Sequence, residues 1–124
     1  MKHAPALPSI CITATGNSPQ ALVESVRRAL EYCRFVELRL DWLPSPAQAP
    51  ALIASLLEAA PRSTFLQATC RREANGGRFG GTVAAQMEIL RQAAAAGCRV
   101  LDLEVESAEA AGSEAVEALR RQAL

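Results

Sequence analysis

Phe35-Val36-Glu37-Leu38-Arg39-Leu40-Asp41 alternates apolar and charged residues. Successive side chains of a strand point to opposite faces, so Val36, Leu38 and Leu40 share one side while Glu37, Arg39 and Asp41 share the other. A parallel strand is normally covered on both faces and reads as continuously apolar. Three charges along one face break that pattern. That face either meets solvent or lines a polar cavity.

Working outward, the same kind of run recurs at 10–14, 64–70 and 99–105, with this one covering 35–40. Helix signals fill the gaps. Ser18-Pro19 reads as an N-cap followed by proline in the first turn, ahead of the stripe Leu22, Val26, Leu30 and Cys33. Ser45-Pro46 predicts the start of a second helix with Leu52, Ile53, Leu56 and Leu57 on its apolar face and Pro61 past its end. A third begins near Thr82, carries Val83, Met87, Leu90 and Ala94, and stops at Gly97. A fourth begins after Ser107 or Ser113. The βα repeat of about 25 to 35 residues predicts a parallel sheet with helical crossovers. The fold class is therefore α/β, with about four strands and four helices in one (βα)4 domain over 1–124. An eight-unit barrel needs at least about 200 residues. The 124 present are too few for one.

The other strands repeat the two-faced pattern. Cys11 and Thr13 share a face, as do Gln67, Thr69 and Arg71, and Asp102 and Glu104. These polar groups crowd toward the C-terminal ends of the strands, where parallel α/β folds place their sites. A small-molecule pocket follows, with an open sheet carrying solvated charge pairs as the alternative. Arg39 and Arg71 are fixed cations with planar forks, suited to a carboxylate or phosphate. Glu37 and Asp41 would hold those arginines or accept hydrogen bonds from substrate hydroxyls; a plain Glu37–Arg39 ion pair is the simpler alternative. Asp102 and Glu104 are too few to argue for a metal, and none is expected. The glycine-rich segment 71–81 lacks the lysine and hydroxyl residue of a nucleotide-binding loop and reads as a mobile wall over the pocket.

Composition narrows the classes. Thirteen basic and thirteen acidic side chains cancel, which leaves no electrostatic footprint for nucleic acid or an anionic membrane. No apolar run approaches the ~20 residues of a membrane span. The start Met1-Lys2-His3-Ala4-Pro5 lacks the apolar stretch of a secretory signal, and the expectation is a cytoplasmic protein. Cys11, Cys33, Cys70 and Cys98 show no metal-site spacing and read as reduced core cysteines. Lys2 and His3 are the single lysine and histidine of the sequence. Residues 121–124 read as the interior of a helix, so the expectation is a protein that continues past Leu124.

Glu37-Leu38-Arg39-Leu40-Asp41, then Thr69-Cys70-Arg71-Arg72 leading into Gly76-Gly77, then Asp102-Leu103-Glu104, resemble in order and spacing the first half of the type I 3-dehydroquinate dehydratases. The resemblance implies a (β/α)8 barrel that converts 3-dehydroquinate to 3-dehydroshikimate through a Schiff-base lysine and a histidine acid–base, with no metal or organic cofactor. Matched by motif, Glu37, Arg39 and Arg71 would bind substrate hydroxyls and carboxylate, and Thr13 stands where the family often has a serine. The family's catalytic histidine and lysine fall on later strands, so no catalytic residue is assigned within this chain. A glutamate that can partner the family's histidine is replaced by Asn75, with an acid at Glu73 instead. The chain alone is accordingly expected to be inactive, its partner being a missing C-terminal half of the barrel. The alternatives are a non-catalytic half-barrel that forms a homodimer and another barrel enzyme taking an acidic sugar or a phosphate.

Overall fold

A computed structural model describes residues 6–123. Four strands, β1 (Ile12–Ala14), β2 (Phe35–Arg39), β3 (Phe65–Thr69) and β4 (Val100–Asp102), form one sheet in the order β1-β2-β3-β4. Every pairing is parallel. Helices α1 (Pro19–Leu30), α2 (Ala49–Ala59) and α3 (Val83–Ala96) connect successive strands, and α4 (Val105–Ala111) and α5 (Ser113–Ala123) follow β4. The βα alternation expected from the pattern is present.

The apolar strand face makes the core. Val36 and Leu38 of β2 and Leu66 and Ala68 of β3 are sealed from solvent together with Leu22 and Val26 of α1, Ile53 of α2 and Leu90 and Ala93 of α3. Local signals set the helix ends. Ser18 Oγ accepts from the Ala21 amide and Thr82 Oγ1 from the Ala85 amide, each at 3.1 Å. Such caps contribute about 1 kcal/mol apiece. Gly97 closes α3 at φ 125°, where a Cβ would also lie 2.4 Å from Leu57 Cδ1. The positive φ favours glycine there, and a side chain would also have to displace the end of Leu57.

Four expectations need correction. Ser45-Pro46 opens a 3₁₀ turn, Pro46–Gln48, and the α-helix starts at Ala49. A helix begun at Pro46 would carry Pro50 in its interior, where the ring clashes with the carbonyl four residues back; starting at Ala49 puts Pro50 in the first turn. The inward face of α3 is Gln86, Leu90, Ala93 and Ala94, with Val83 and Met87 only half-buried. The last helical region is two helices, separated at Gly112, with Ser107 inside the first. β4 stops at Asp102, and Glu104 is the N-cap of α4 instead of a strand residue beside Asp102.

Cys70 and Cys98 are buried as expected, but Cys11 is exposed and Cys33 half-buried, so only two of the four belong to the core. Among the described residues no helix is long and apolar enough to cross a membrane. Lys2, His3 and Leu124 lie outside the described residues.

Candidate functional site

Strand register places the polar side chains in rows. Thr13 pairs with Glu37 and Glu37 with Gln67; one step further along, Arg39 pairs with Thr69 and Thr69 with Asp102. Partners in register point to the same face, so the strand residues Thr13, Glu37 and Arg39 share a face with Gln67, Thr69 and Asp102. Arg71 joins them from just past β3 through its bond to Asp102. At the N-terminal ends of the strands this face carries Phe35 and Phe65, edge to face at 6.5 Å.

Glu37 is the hub of the first row. Its Oε1 accepts from Thr13 Oγ1 at 2.7 Å. Its Oε2 accepts from Thr69 Oγ1 at 2.6 Å and Gln67 Nε2 at 3.0 Å. The sequence left open whether Glu37 holds an arginine, and it does not: its partners are two hydroxyls and an amide. Donors of this kind fix a carboxylate without cancelling its charge, which leaves it able to accept from a ligand hydroxyl.

Each arginine has a separate aspartate. Arg39 Nε and Nη2 donate to Asp41 Oδ1 and Oδ2 at 2.9 and 2.7 Å. β2 ends at Arg39, and Asp41 lies in a 3₁₀ turn, Leu40–Trp42, with its side chain sealed from solvent. Asp41 therefore does not extend the charged strand face; it turns back onto the arginine. Burial alone would raise the Asp41 carboxyl, but the Arg39 fork and the backbone amides of Arg78 and Arg71 outweigh it and hold the group below the usual carboxylate range. The hydrogen bond to Asp41 correspondingly raises Arg39. Arg71 Nη2 donates to Asp102 Oδ2 at 2.7 Å, with both side chains about one-third exposed.

The segment after β3 is built by its own backbone. The Phe79 amide donates to Arg71 O and the Glu73 amide to Phe79 O, each at 3.0 Å, and the Gly77 amide donates to Arg72 O at 2.9 Å. The segment expected to wall the pocket is a backbone-bonded loop. A Cβ on Gly77 would fall 2.2 Å from Arg71 O and 2.5 Å from Arg71 Cβ, so the loop can fold against the site arginine only with glycine there. The Arg78 amide donates to Asp41 Oδ2 at 3.1 Å and the Arg72 amide to Glu104 Oε2 at 3.3 Å. Glu104 Oε1 also accepts from the buried Gln86 Nε2 at 2.9 Å. Asp102 and Glu104 therefore serve different partners and do not converge as a ligand pair. Among the described residues no group of three or more metal-ligating side chains gathers.

The four residues expected to bind a ligand, Thr13, Glu37, Arg39 and Arg71, lie on one face of the sheet. Sequence reasoning missed Arg78, Trp42 and Gln86. The Gln86–Leu90–Ala93 spacing carried a helical signal for the last of these, but a glutamine on an apolar stripe was passed over. Nothing local marked Arg78.

The family model described as Type I 3-dehydroquinase matches residues 10–123. A 3-dehydroquinate dehydratase of Dehalococcoides mccartyi is 38% identical over 98 residues, covering 79% of this chain and 39% of that protein. The protein of the same name from Desulfotalea psychrophila is 36% identical over 101 residues, covering 81% of this chain and 41% of its own length. The chain thus spans about two-fifths of the curated relatives it matches. A crystal structure of a type I 3-dehydroquinate dehydratase from Clostridium difficile with covalently modified comenic acid superposes with a TM-score of 0.77 at 16% identity, covering 97% of this chain and 49% of that one. The four-strand unit therefore has the fold of about half of that enzyme. With the family model matching nearly its whole length, the chain belongs to the type I 3-dehydroquinase family.

Proposed function

We propose that this chain supplies the substrate-binding half of a type I 3-dehydroquinate dehydratase site. Arg39 and Arg71 take the substrate carboxylate, and Glu37 and Thr13 take its hydroxyls. One observation carries the reading: two arginines, each bonded to its own aspartate, share one sheet face with a carboxylate held by neutral donors. That arrangement presents both signs of charge in fixed positions, as an anionic polyol requires.

The reaction removes water from 3-dehydroquinate to leave 3-dehydroshikimate. A lysine Schiff base acidifies the carbon beside the ketone, and a histidine takes the proton there. Lys2 and His3 match neither family position, so both groups come from outside this (βα)4 unit, which binds and orients. No metal or organic cofactor is part of the scheme. The chain alone binds 3-dehydroquinate and does not turn it over, and a biosynthetic role in the cytoplasm belongs to the same proposal.

Calorimetric titration with 3-dehydroquinate, alongside ultraviolet detection of the conjugated product, tests this. The expected result is weak binding, lost in Arg71→Ala, with no product. Binding unaffected by Arg71→Ala, or product formed by the repurified chain, would overturn it.

A second reading, a non-catalytic half-barrel that dimerises, is favoured by one feature. Among the described residues β1 and β4 are each paired on one side only, and unpaired strand edges invite another strand. Sedimentation equilibrium decides it, since a monomer at all concentrations rules it out.

A further inference from the structure

The loop after β3 is tied to the end of β2 by the same carboxylate that holds Arg39. Asp41 Oδ2 accepts from Arg39 Nη2 at 2.7 Å and from the Arg78 amide at 3.1 Å. The Arg78 side chain then reaches Trp42 and Asn17. Its guanidinium carbon lies 3.4 Å from the centroid of the Trp42 ring, and its Nη1 donates to Asn17 Oδ1 at 3.1 Å. Three segments far apart in sequence, at Asn17, Asp41-Trp42 and Arg78, meet through one arginine.

We propose that Asp41 and Arg78 form a clasp, in which Asp41 aims the Arg39 fork at the ligand and docks the β3–α3 loop, so that Arg78 closes over Trp42 beside the site. Asp41 is a positioning residue in this scheme. It occupies Nε and one hydrogen of Nη2, leaving Nη1 and the second Nη2 hydrogen of Arg39 for a ligand carboxylate. The aiming part rests on the ligand-binding role proposed for Arg39; the clasp itself does not. A planar cation over an indole face is attracted by the ring quadrupole, and the backbone bond to Asp41 places Arg78 there at little entropic cost. Because one oxygen serves both Arg39 and the loop, ligand binding and loop docking are coupled, and coupling of equilibria is reciprocal.

Trp42 is the single tryptophan of the sequence, so its fluorescence reads the clasp directly. The experiment measures acrylamide quenching of Trp42 and calorimetric binding of 3-dehydroquinate in the wild type, Arg78→Ala, Asp41→Ala, Asp41→Asn and the double alanine variant. Removing the stacked guanidinium in Arg78→Ala should raise quenching about twofold and weaken binding about fivefold through the clasp. Asp41→Ala should raise quenching as much, and the double variant no further, because both changes open the same contact. Asp41→Asn keeps an acceptor for the Arg78 amide. It should restore quenching to the wild-type value while leaving binding about tenfold weaker, since the Arg39 fork is no longer matched.

Quenching in Asp41→Ala equal to that of the wild type, or additive effects in the double variant, would overturn the clasp. If Asp41→Ala does not fold, Arg78→Ala decides: unchanged quenching and unchanged binding refute the proposal. If the wild type shows no binding, the ligand reading fails while the quenching series still judges the clasp.

Discussion

Asp41→Asn should lower the stability of the fold by about 2 kcal/mol at neutral pH, with the loss vanishing in acid. The magnitude follows from three bonds. Asp41 accepts from Arg39 Nε at 2.9 Å, Arg39 Nη2 at 2.7 Å and the Arg78 amide at 3.1 Å. The asparagine oxygen can take the position of Oδ2 and keep two of these. Its amide nitrogen then faces the Nε–H of Arg39, donor against donor. One charge-assisted bond is lost, worth about 1.5–3 kcal/mol. The Arg39 side chain is 20% exposed, so water reaches the abandoned cation and the cost stays below that of breaking a fully buried pair. The pH dependence has a fixed sign. Asp41 titrates lower in the folded chain than in the unfolded one, where a carboxyl has a pKa of about 3.9. Its stabilisation is therefore complete above the unfolded value and disappears as pH falls through the folded one. Urea unfolding followed by circular dichroism at pH 7, 5 and 3 measures this. The midpoint of the variant should lie about 1–2 M lower at pH 7 and pH 5, and the two curves should approach each other below about pH 4. Equal midpoints at pH 7, or a gap that survives undiminished below the titration, would refute the assignment of this carboxylate as the ionised anchor.

Three further expectations follow from other parts of the site. Gly77→Ala must push the loop off the Arg71 backbone; it should cost about 1–3 kcal/mol by overpacking and abolish calorimetric binding of 3-dehydroquinate, whereas Gly76→Ala, with nothing within 4 Å of the added methyl, meets only the strain of its own left-handed backbone at φ 84° and should cost about 1–2 kcal/mol while sparing binding. Gln86→Leu removes the donors to Glu104 Oε1 and Cys70 O, leaving buried acceptors short of partners; chemical denaturation should show a loss of about 1–3 kcal/mol. Thiol labelling of the folded chain should modify Cys11 before Cys70 and Cys98, which should be spared until unfolding: burial seals both and pushes their thiols up to about 12, whereas Cys11, though its thiol is also raised, is open to reagent. Rapid labelling of Cys70 in the native state would contradict the packing around β3.

What the sequence determined by itself is local. Alternation at 35–41 announced a strand with one apolar and one charged face, since the side-chain period of a strand is two whatever it packs against. Ser18-Pro19, Thr82 and Gly97 marked helix ends through bonds and backbone angles that span only a few residues. The recurrence of these units implied a parallel sheet, and that sheet puts Thr13, Glu37, Arg39 and Arg71 on one face. Only the tertiary structure decided who pairs with whom. Glu37 chose two threonines and a glutamine over its neighbour Arg39, and Asp41 left the strand to reach Arg39 and an amide 37 positions away. Gln86 became a core residue because Glu104 arrives beside it from the end of β4. A carboxylate's partner is set by which donors the folded chain brings within about 3 Å, and that distance depends on strand register and loop closure, which no periodicity along the chain encodes.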